Sequence, residues 1–308
     1  MDYILEARNL KKTFSLDAGF FARNDRKVYA VNDVSFGIER GRTYGLVGES
    51  GCGKTTTARI LVGMYKADSG EIRFGSGSAA DARPMRERIK YVFQDPSRSL
   101  NPRMTVGSIL TEAYRYSSIF PGKEKAREEA GRLLEEVGLD SSDLDRLPSE
   151  FSGGQRQRIS IARGLIMKPD VLICDEIVSA LDVSVQGQIL NLLLDLKKSR
   201  DLSFLFIAHD LRVSCYFCDT IGVMYSGVLV EEAPAADLYK TATHPYTKLL
   251  FAGSQGLSGG QSGEVKTALK SVSGCPFAHR CPHAVDKCLS SLPEWKIVSG
   301  NHKVRCWL

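Results

Sequence analysis

The sequence predicts an α/β fold with a buried parallel sheet at its centre, and three observations carry that expectation. Short apolar runs, Thr43 to Val47, Val171 to Cys174 and Ser203 to Ala208, have the near-continuous hydrophobicity of strands covered on both faces. Stretches with helical spacing, such as Lys123 to Val137 and Val183 to Lys198, alternate with them along the chain. The first apolar run leads into Gly48-Glu49-Ser50-Gly51-Cys52-Gly53-Lys54-Thr55 and then a helical pattern from Thr56 to Val62 closed by Gly63. A strand, a glycine-rich turn and a helix in that order let successive backbone N–H groups point inward at anionic oxygens. The helix N-terminus adds partial positive charge, Lys54 reaches terminal phosphates, and the Thr55 hydroxyl is placed to ligate Mg²⁺. A nucleotide is the ligand such a loop expects.

Composition bounds the rest. A chain of 308 residues that is 43% hydrophobic and 25% charged is ordinary globular material, enough for about two domains. The net charge of +5 is spread along the chain rather than gathered in a block, so no nucleic acid partner is expected. Met1 to Glu6 carries acidic residues where an export signal would be basic, with no long apolar stretch behind it. The longest apolar runs fall far short of the roughly 20 residues that a membrane helix requires, so any membrane association is expected to be peripheral. Eight cysteines are too sparse for a disulfide scaffold.

In chain order, Ile4 to Phe14 and Val28 to Ile38 read as strands around a loop from Ser15 to Lys27. Phe14 and Tyr29 are placed to stack on a base. After the phosphate loop, Gly70 to Phe74 and Ile89 to Phe93 read as strands separated by a Gly/Ser/Ala-rich loop from Gly75 to Ala82. The second delivers Gln94 into a proline-containing loop, Asp95 to Arg103, that cannot continue a ladder. Helical spacing covers Val106 to Tyr116 and Lys123 to Val137, the latter ended by Gly138. Ser152-Gly153-Gly154-Gln155 then opens another helix and makes a second anion cradle. Asp175-Glu176 ends a buried strand, where Asp175 is suited to Mg²⁺ and Glu176 to polarising water. Ser179 to Asp182 turns into the helix Val183 to Lys198, and His209 follows the strand Ser203 to Ala208. Thr220 to Tyr225 and Val228 to Glu232 form a hairpin through Ser226-Gly227, followed by short helices at Ala235 to Lys240 and Thr247 to Ala252.

These motifs in order resemble the nucleotide-binding subunit of ABC transporters over nearly all of residues 4–252, with Phe151 to Arg158 the most specific stretch. The resemblance implies a P-loop NTPase with a RecA-like core, an antiparallel β subdomain and an inserted helical subdomain at about residues 95–165. It implies ATP and Mg²⁺ as ligands. Gly48, Glu49, Ser50, Gly51, Cys52, Gly53, Lys54, Thr55 and Thr56 would cradle the phosphates, with Phe14 on the adenine. Thr55, Gln94 and Asp175 would hold Mg²⁺. Glu176 would act as base and His209 hold the γ-phosphate, with Lys54 and Gln94 completing the catalytic set. Ser152, Gly153, Gly154, Gln155 and Asp182 would act on nucleotide held by a facing subunit, so a second ATP-binding subunit is implied.

Narrower features resemble the oligopeptide and dipeptide importer branch: Gln94-Asp95-Pro96, Ser99 to Arg103, and His244-Pro245-Tyr246-Thr247. That branch implies a second, different ATP-binding subunit, two transmembrane permease subunits and an extracytoplasmic substrate-binding protein. The chain would then lie at the cytoplasmic face of the membrane. Ile177 departs from the family, which usually has proline there. A non-transport ABC ATPase, an importer of nickel complexes or sugars, and a non-hydrolysing module serving its metal-binding tail are the alternatives.

Residues 253–264, rich in Gly and Ser, read as a linker, and 265–308 as a small cysteine-rich domain bearing Cys275, Cys281, Cys288 and Cys306. Their spacing is not the paired C-x₂-C of common zinc ribbons, and their Pro and Gly neighbours supply turns rather than a core. A metal centre would supply the missing stabilisation. The resemblance favours a [4Fe–4S] cluster on these thiolates, with zinc second and His279, His283 and His302 as substitute ligands.

Overall fold

The computed structural model describes residues 2–16, 26–75, 83–117, 120–253 and 273–308. The chain begins with long strands β1 (Tyr3–Leu16) and β2 (Arg26–Glu39), then β3 (Thr43–Val47), helix α1 (Lys54–Leu61) and β4 (Ser69–Phe74). Next come α2 (Met85–Arg88), β5 (Ile89–Val92), α3 (Pro96–Ser99), α4 (Val106–Glu112), α5 (Lys123–Glu136) and α6 (Gly153–Leu165). β6 (Val171–Asp175), α7 (Val183–Arg200), β7 (Ser203–Ala208) and α8 (Leu211–Phe217) lead to the hairpin β8 (Thr220–Tyr225) and β9 (Val228–Pro234). The chain closes with α9 (Ala235–Thr241), α10 (Pro245–Gly253), α11 (Asp286–Ser290) and the hairpin β10 (Lys296–Ser299) and β11 (His302–Val304).

The chain divides into two compact units, one formed by Met1–Gly75 with Phe206–Leu308 and the other by Ser76–Leu205. In the first, β2, β1 and β4 make an antiparallel sheet in the order β2-β1-β4. Irregularities in β1 and β2 coincide with positive φ at Asn9 (48°) and Asp33 (58°), where the Asn9 side-chain Nδ2 donates to Asp33 Oδ1 at 2.9 Å. The same unit contains strands in the order β10-β11-β9-β8-β3, with β3 parallel to β8 and Val47 opposite Val223. All five residues of β3 are buried, as the apolar run requires of a strand covered on both faces.

In the second unit, β5 runs parallel to β6, with Val92 opposite Cys174. Helix α6 lies close against these strands because residue 164 is glycine: a Cβ there would fall 2.9 Å from Leu172 Cδ1. Tyr114 is buried and its hydroxyl donates to the Ile166 carbonyl at 2.9 Å, tying the end of the inserted helices to α6.

Several elements differ from the sequence reading. Val106 to Tyr116 is not one α-helix, because α4 stops at Glu112 and Ala113–Tyr116 tightens to a 3₁₀ turn. The Asp95 to Arg103 loop contains α3, started by Pro96 at its first position and by Asp95 accepting from the Ser97 amide at 2.9 Å. Helix α8 was not anticipated; Asp210 caps it by accepting from the Arg212 amide at 2.7 Å. The tail holds α11 and a hairpin as well as turns, and β11 pairs with β9 through Lys303 opposite Glu232. Most of the expected linker (254–264), the loop at 76–82, the first loop at 17–25 and residues 265–272 of the tail lie outside the described residues.

Candidate nucleotide site

The phosphate loop belongs to the first unit. Its glycines are required by contact: a Cβ on Gly48 would stand 2.2 Å from the Met224 carbonyl oxygen, and one on Gly53 2.1 Å from that of Ala30. Gly53 also has φ of 110°, a conformation L side chains rarely adopt. Lys54 is 3% exposed, and its ammonium donates to the carbonyls of Gly48 at 2.7 Å and Glu49 at 3.0 Å, curling back into the loop. Thr55 and Thr56 are half-buried in the first turn of α1, which starts at Lys54, two residues earlier than the helical pattern suggested. Ser50 and Gly51 are exposed, and Cys52 is buried, which pushes its thiol pKa up.

Tyr246, quoted above only within the importer-branch motif, and Arg280, which the sequence did not single out, hold this loop. The Tyr246 hydroxyl accepts from the Glu49 amide at 2.8 Å, and Arg280 grips the Glu49 carboxylate at 2.8 and 3.1 Å. His209 is exposed just after β7, immediately before the capping Asp210. Phe14 is half-buried, with Tyr65 edge-on at 5.4 Å between ring centroids and the Lys12 ammonium 5.5 Å from its ring. Tyr29, the alternative, is likewise half-buried on β2.

The second unit gathers a separate set. Asp175 ends β6 with 5% exposure and accepts a hydrogen bond from the Tyr91 hydroxyl. Glu176, next in the chain, has φ of 50°. Gln94 donates to Glu176 Oε2 at 3.1 Å and to Ser179 Oγ at 3.3 Å, so three motifs far apart in sequence meet side chain to side chain. The turn after Glu176 is closed by the Ser179 amide and hydroxyl donating to the Glu176 carbonyl at 3.1 and 2.8 Å. Ile177 is buried within that turn, which these two hydrogen bonds close with no proline present.

Ser152 caps α6 reciprocally: its hydroxyl accepts from the Gln155 amide at 3.3 Å while the Gln155 side chain accepts from the Ser152 amide at 2.9 Å. Gly154 allows close approach to α7, since a Cβ there would lie 2.8 Å from Val185 Cγ1. Ser152, Gly153, Gln155 and Asp182 are exposed, and Asp182 precedes α7 without capping it through its side chain.

Cys275, Cys281, Cys288 and Cys306 all line one small cavity of about 10 Å³ together with Phe277 and Trp307. Burial pushes the Cys275 thiol up to about 11, and Cys288, Cys306 and Cys281 each add to the rise. Four thiols from separate segments, Cys288 in α11 and Cys306 just after β11, thus line one cavity, the donor set an iron–sulfur centre would use. Among the described residues no group of three or more His, Cys, Asp or Glu stands positioned to hold a metal ion. Of the substitute ligands, His283 lines the cavity, but His302 is committed elsewhere, its Nε2 lying 2.7 Å from the buried Glu231.

A strand, a glycine-dependent loop and a helix carrying a buried lysine define a P-loop ATPase. The description "ABC transporter" matches residues 31–179, and "Oligopeptide/dipeptide transporter, C-terminal region" matches residues 230–288. The oligopeptide transport ATP-binding protein AppF of Bacillus subtilis is 41% identical, over 99% of this chain and 97% of its own. The dipeptide transport ATP-binding protein DppF of Haemophilus influenzae is 40% identical, over 99% and 96%. Among solved structures, CbiO1 from Clostridium perfringens, part of the transporter complex CbiONQ, superposes with TM-score 0.64 at 25% identity, covering 79% of this chain and 92% of that one. A dimeric ATP-binding cassette in a post-hydrolysis state with ADP and Pi gives TM-score 0.63 at 25% identity, covering 75% and 98%. The chain belongs to the ABC transporter family, as an ATP-binding subunit of the oligopeptide/dipeptide importer type. Its activity is ATP hydrolysis coupled to transport, with ATP and Mg²⁺ the ligands of that family. Among the described residues no helix is long and apolar enough to cross a membrane.

Proposed function

We propose that the chain binds MgATP on its phosphate loop and hydrolyses it to drive import of di- or oligopeptides. The meeting of Gln94 with Glu176 and Ser179 carries this reading, because it puts a carboxylate and its amide partner at the end of the acidic strand. Lys54 and the loop amides hold the phosphates, while Thr55, Gln94 and Asp175 hold Mg²⁺, which supplies charge neutralisation on the phosphate oxygens when bound. Glu176 accepts a proton from water as the water oxygen forms a bond to the γ-phosphorus and the bond to the ADP oxygen breaks. His209 steadies the γ-phosphate. Phe14 stacks on adenine. The exposed Ser152 turn and Asp182 complete a site on a facing subunit, so the working unit is a pair of ATP-binding subunits, most simply two different ones.

That pair would sit beneath two permease subunits at the cytoplasmic face of the membrane, fed by an extracytoplasmic substrate-binding protein. Reconstitution with those partners in vesicles loaded with MgATP tests the reading. Uptake of labelled peptide that stops without ATP is expected, and uptake of nickel complexes or sugars instead would reassign the substrate.

We further propose that Cys275, Cys281, Cys288 and Cys306 hold a [4Fe–4S] cluster as thiolates. The convergence of all four on one cavity supports it, and the raised pKa of the Cys275 and Cys306 thiols is what bound iron would relieve by favouring the deprotonated sulfurs. Anaerobically purified protein should be brown and contain about four irons and four sulfides per chain. Colourless protein with stoichiometric zinc would replace the cluster with zinc.

A further inference from the structure

We propose that Arg280, carried by the cysteine-rich tail, is a positioning residue for the phosphate loop: it neutralises and anchors Glu49 and so sets the affinity for MgATP. The inference rests on the nucleotide reading above. Arg280 ends the 3₁₀ turn Ala278–Arg280 and directly precedes Cys281. The backbone of that turn is pinned at both ends by cysteines, with the Ala278 amide donating to the Cys275 carbonyl at 3.0 Å and the Cys281 amide to the Ala278 carbonyl at 3.3 Å. Cys275 is held in turn by its amide donating to the Cys288 carbonyl at 2.7 Å. The place of the guanidinium is therefore fixed by the same chain segments that bring the thiols together.

From there the guanidinium reaches Glu49 with both terminal nitrogens, one per carboxylate oxygen, at 2.8 and 3.1 Å. It also lies 5.8 Å from the ring centres of Tyr225 and Phe277, with the Tyr225 hydroxyl 3.4 Å away. The fork geometry fixes direction as well as charge, which a lysine ammonium would not do. The partner sits at a demanding place. Glu49 is inside the eight-residue phosphate loop; its carbonyl accepts from Lys54 and its amide donates to Tyr246. A bare carboxylate there would oppose the approach of a polyanion, and a loosened backbone would let the Lys54 anchor drift. Arg280 answers both. The pair is partly shielded, with side-chain exposures of 29% and 25%, so salt screens it less than an exposed ion pair.

The test is MgATP binding to the full-length chain, followed by the dependence of turnover on ATP in the assembled importer. Arg280→Gln should weaken binding by about tenfold and raise KM by a like factor, with a smaller change in kcat, the order expected when a nearby charge is uncompensated. Arg280→Lys should fall between. Adding Glu49→Gln to Arg280→Gln should restore affinity to that of Glu49→Gln alone, because the repelling charge is then gone. Unchanged affinity in Arg280→Gln, or a double variant as weak as Arg280→Gln, would overturn the proposal, the latter assigning Arg280 a merely structural part. If Arg280→Gln does not fold, the comparison of Arg280→Lys with and without Glu49→Gln decides by the same criteria. Wild-type protein that binds no MgATP would overturn the nucleotide reading as well, which separates the two failures.

Discussion

In the proposed function Gln94 orients the base, and its one amide group touches both the Glu176 carboxylate and Ser179. Gln94→Ala removes both contacts without burying a new polar group. In the assembled importer it should reduce ATP turnover and peptide uptake together by roughly 10-fold or more, the scale of a lost orienting contact at a reacting centre. Unchanged turnover and uptake would reduce Gln94 to a turn residue. The positions of Gln94, Glu176 and Lys54 after strand ends were legible in the sequence, while the role expected of Gln94 came only from the resemblance to ABC transporters. The contacts of Tyr246 and Arg280 with Glu49 were not legible, because they join positions 197 and 231 residues apart, a separation no local pattern encodes. A residue away from the site tests the electrostatics independently. Burial pulls the Glu129 carboxyl upward, but Lys168 at 2.6 Å and the Tyr114 hydroxyl at 2.7 Å outweigh it and hold the group below its ordinary 4.5. A carboxyl depressed in the folded state contributes stability that is fully present above the unfolded value and is lost as pH falls through the folded one. The urea midpoint of Glu129→Gln should therefore lie below wild type at neutral pH, with the gap closing in acid below the folded value. A gap independent of pH would contradict that assignment.

At the scale of elements, the passage from β3 through the loop into α1 is the stiffest requirement in the chain. Gly53→Ala forces an L side chain to φ of 110° and drives its Cβ to 2.1 Å from the Ala30 carbonyl, with backbone on both sides of the clash. The backbone conformation alone costs about 1–3 kcal/mol, and the displaced strand adds to it. A lower urea midpoint together with lost nucleotide binding is expected; a wild-type midpoint would mean the loop has another conformation available. β3, β6 and β7 were readable because strands covered on both faces are apolar through their middle, with the buried polar residues Thr43, Asp175 and Ser203 only at their ends. Helices α3 and α8 were not, since each is only a few residues long and depends on an Asp cap and on packing rather than on periodicity. The tail was misread in the same way: β10 and β11 are short, and β11 is a strand by virtue of its pairing with β9.

For the whole molecule, one chain carries one phosphate loop and one Ser-Gly-Gly-Gln turn, and the exposure of Ser152, Gly153 and Gln155 leaves that turn open to another subunit. The isolated chain should accordingly turn over ATP slowly, and assembly should raise the rate. The most direct measurement is phosphate release from MgATP by the chain alone and in the assembled importer, with wild type beside Glu176→Gln. Turnover that rises on assembly and falls by roughly 10²-fold or more in Glu176→Gln, with MgATP still bound, is the result predicted for a lost general base. Equal rates alone and assembled, or wild-type turnover in Glu176→Gln, would contradict it.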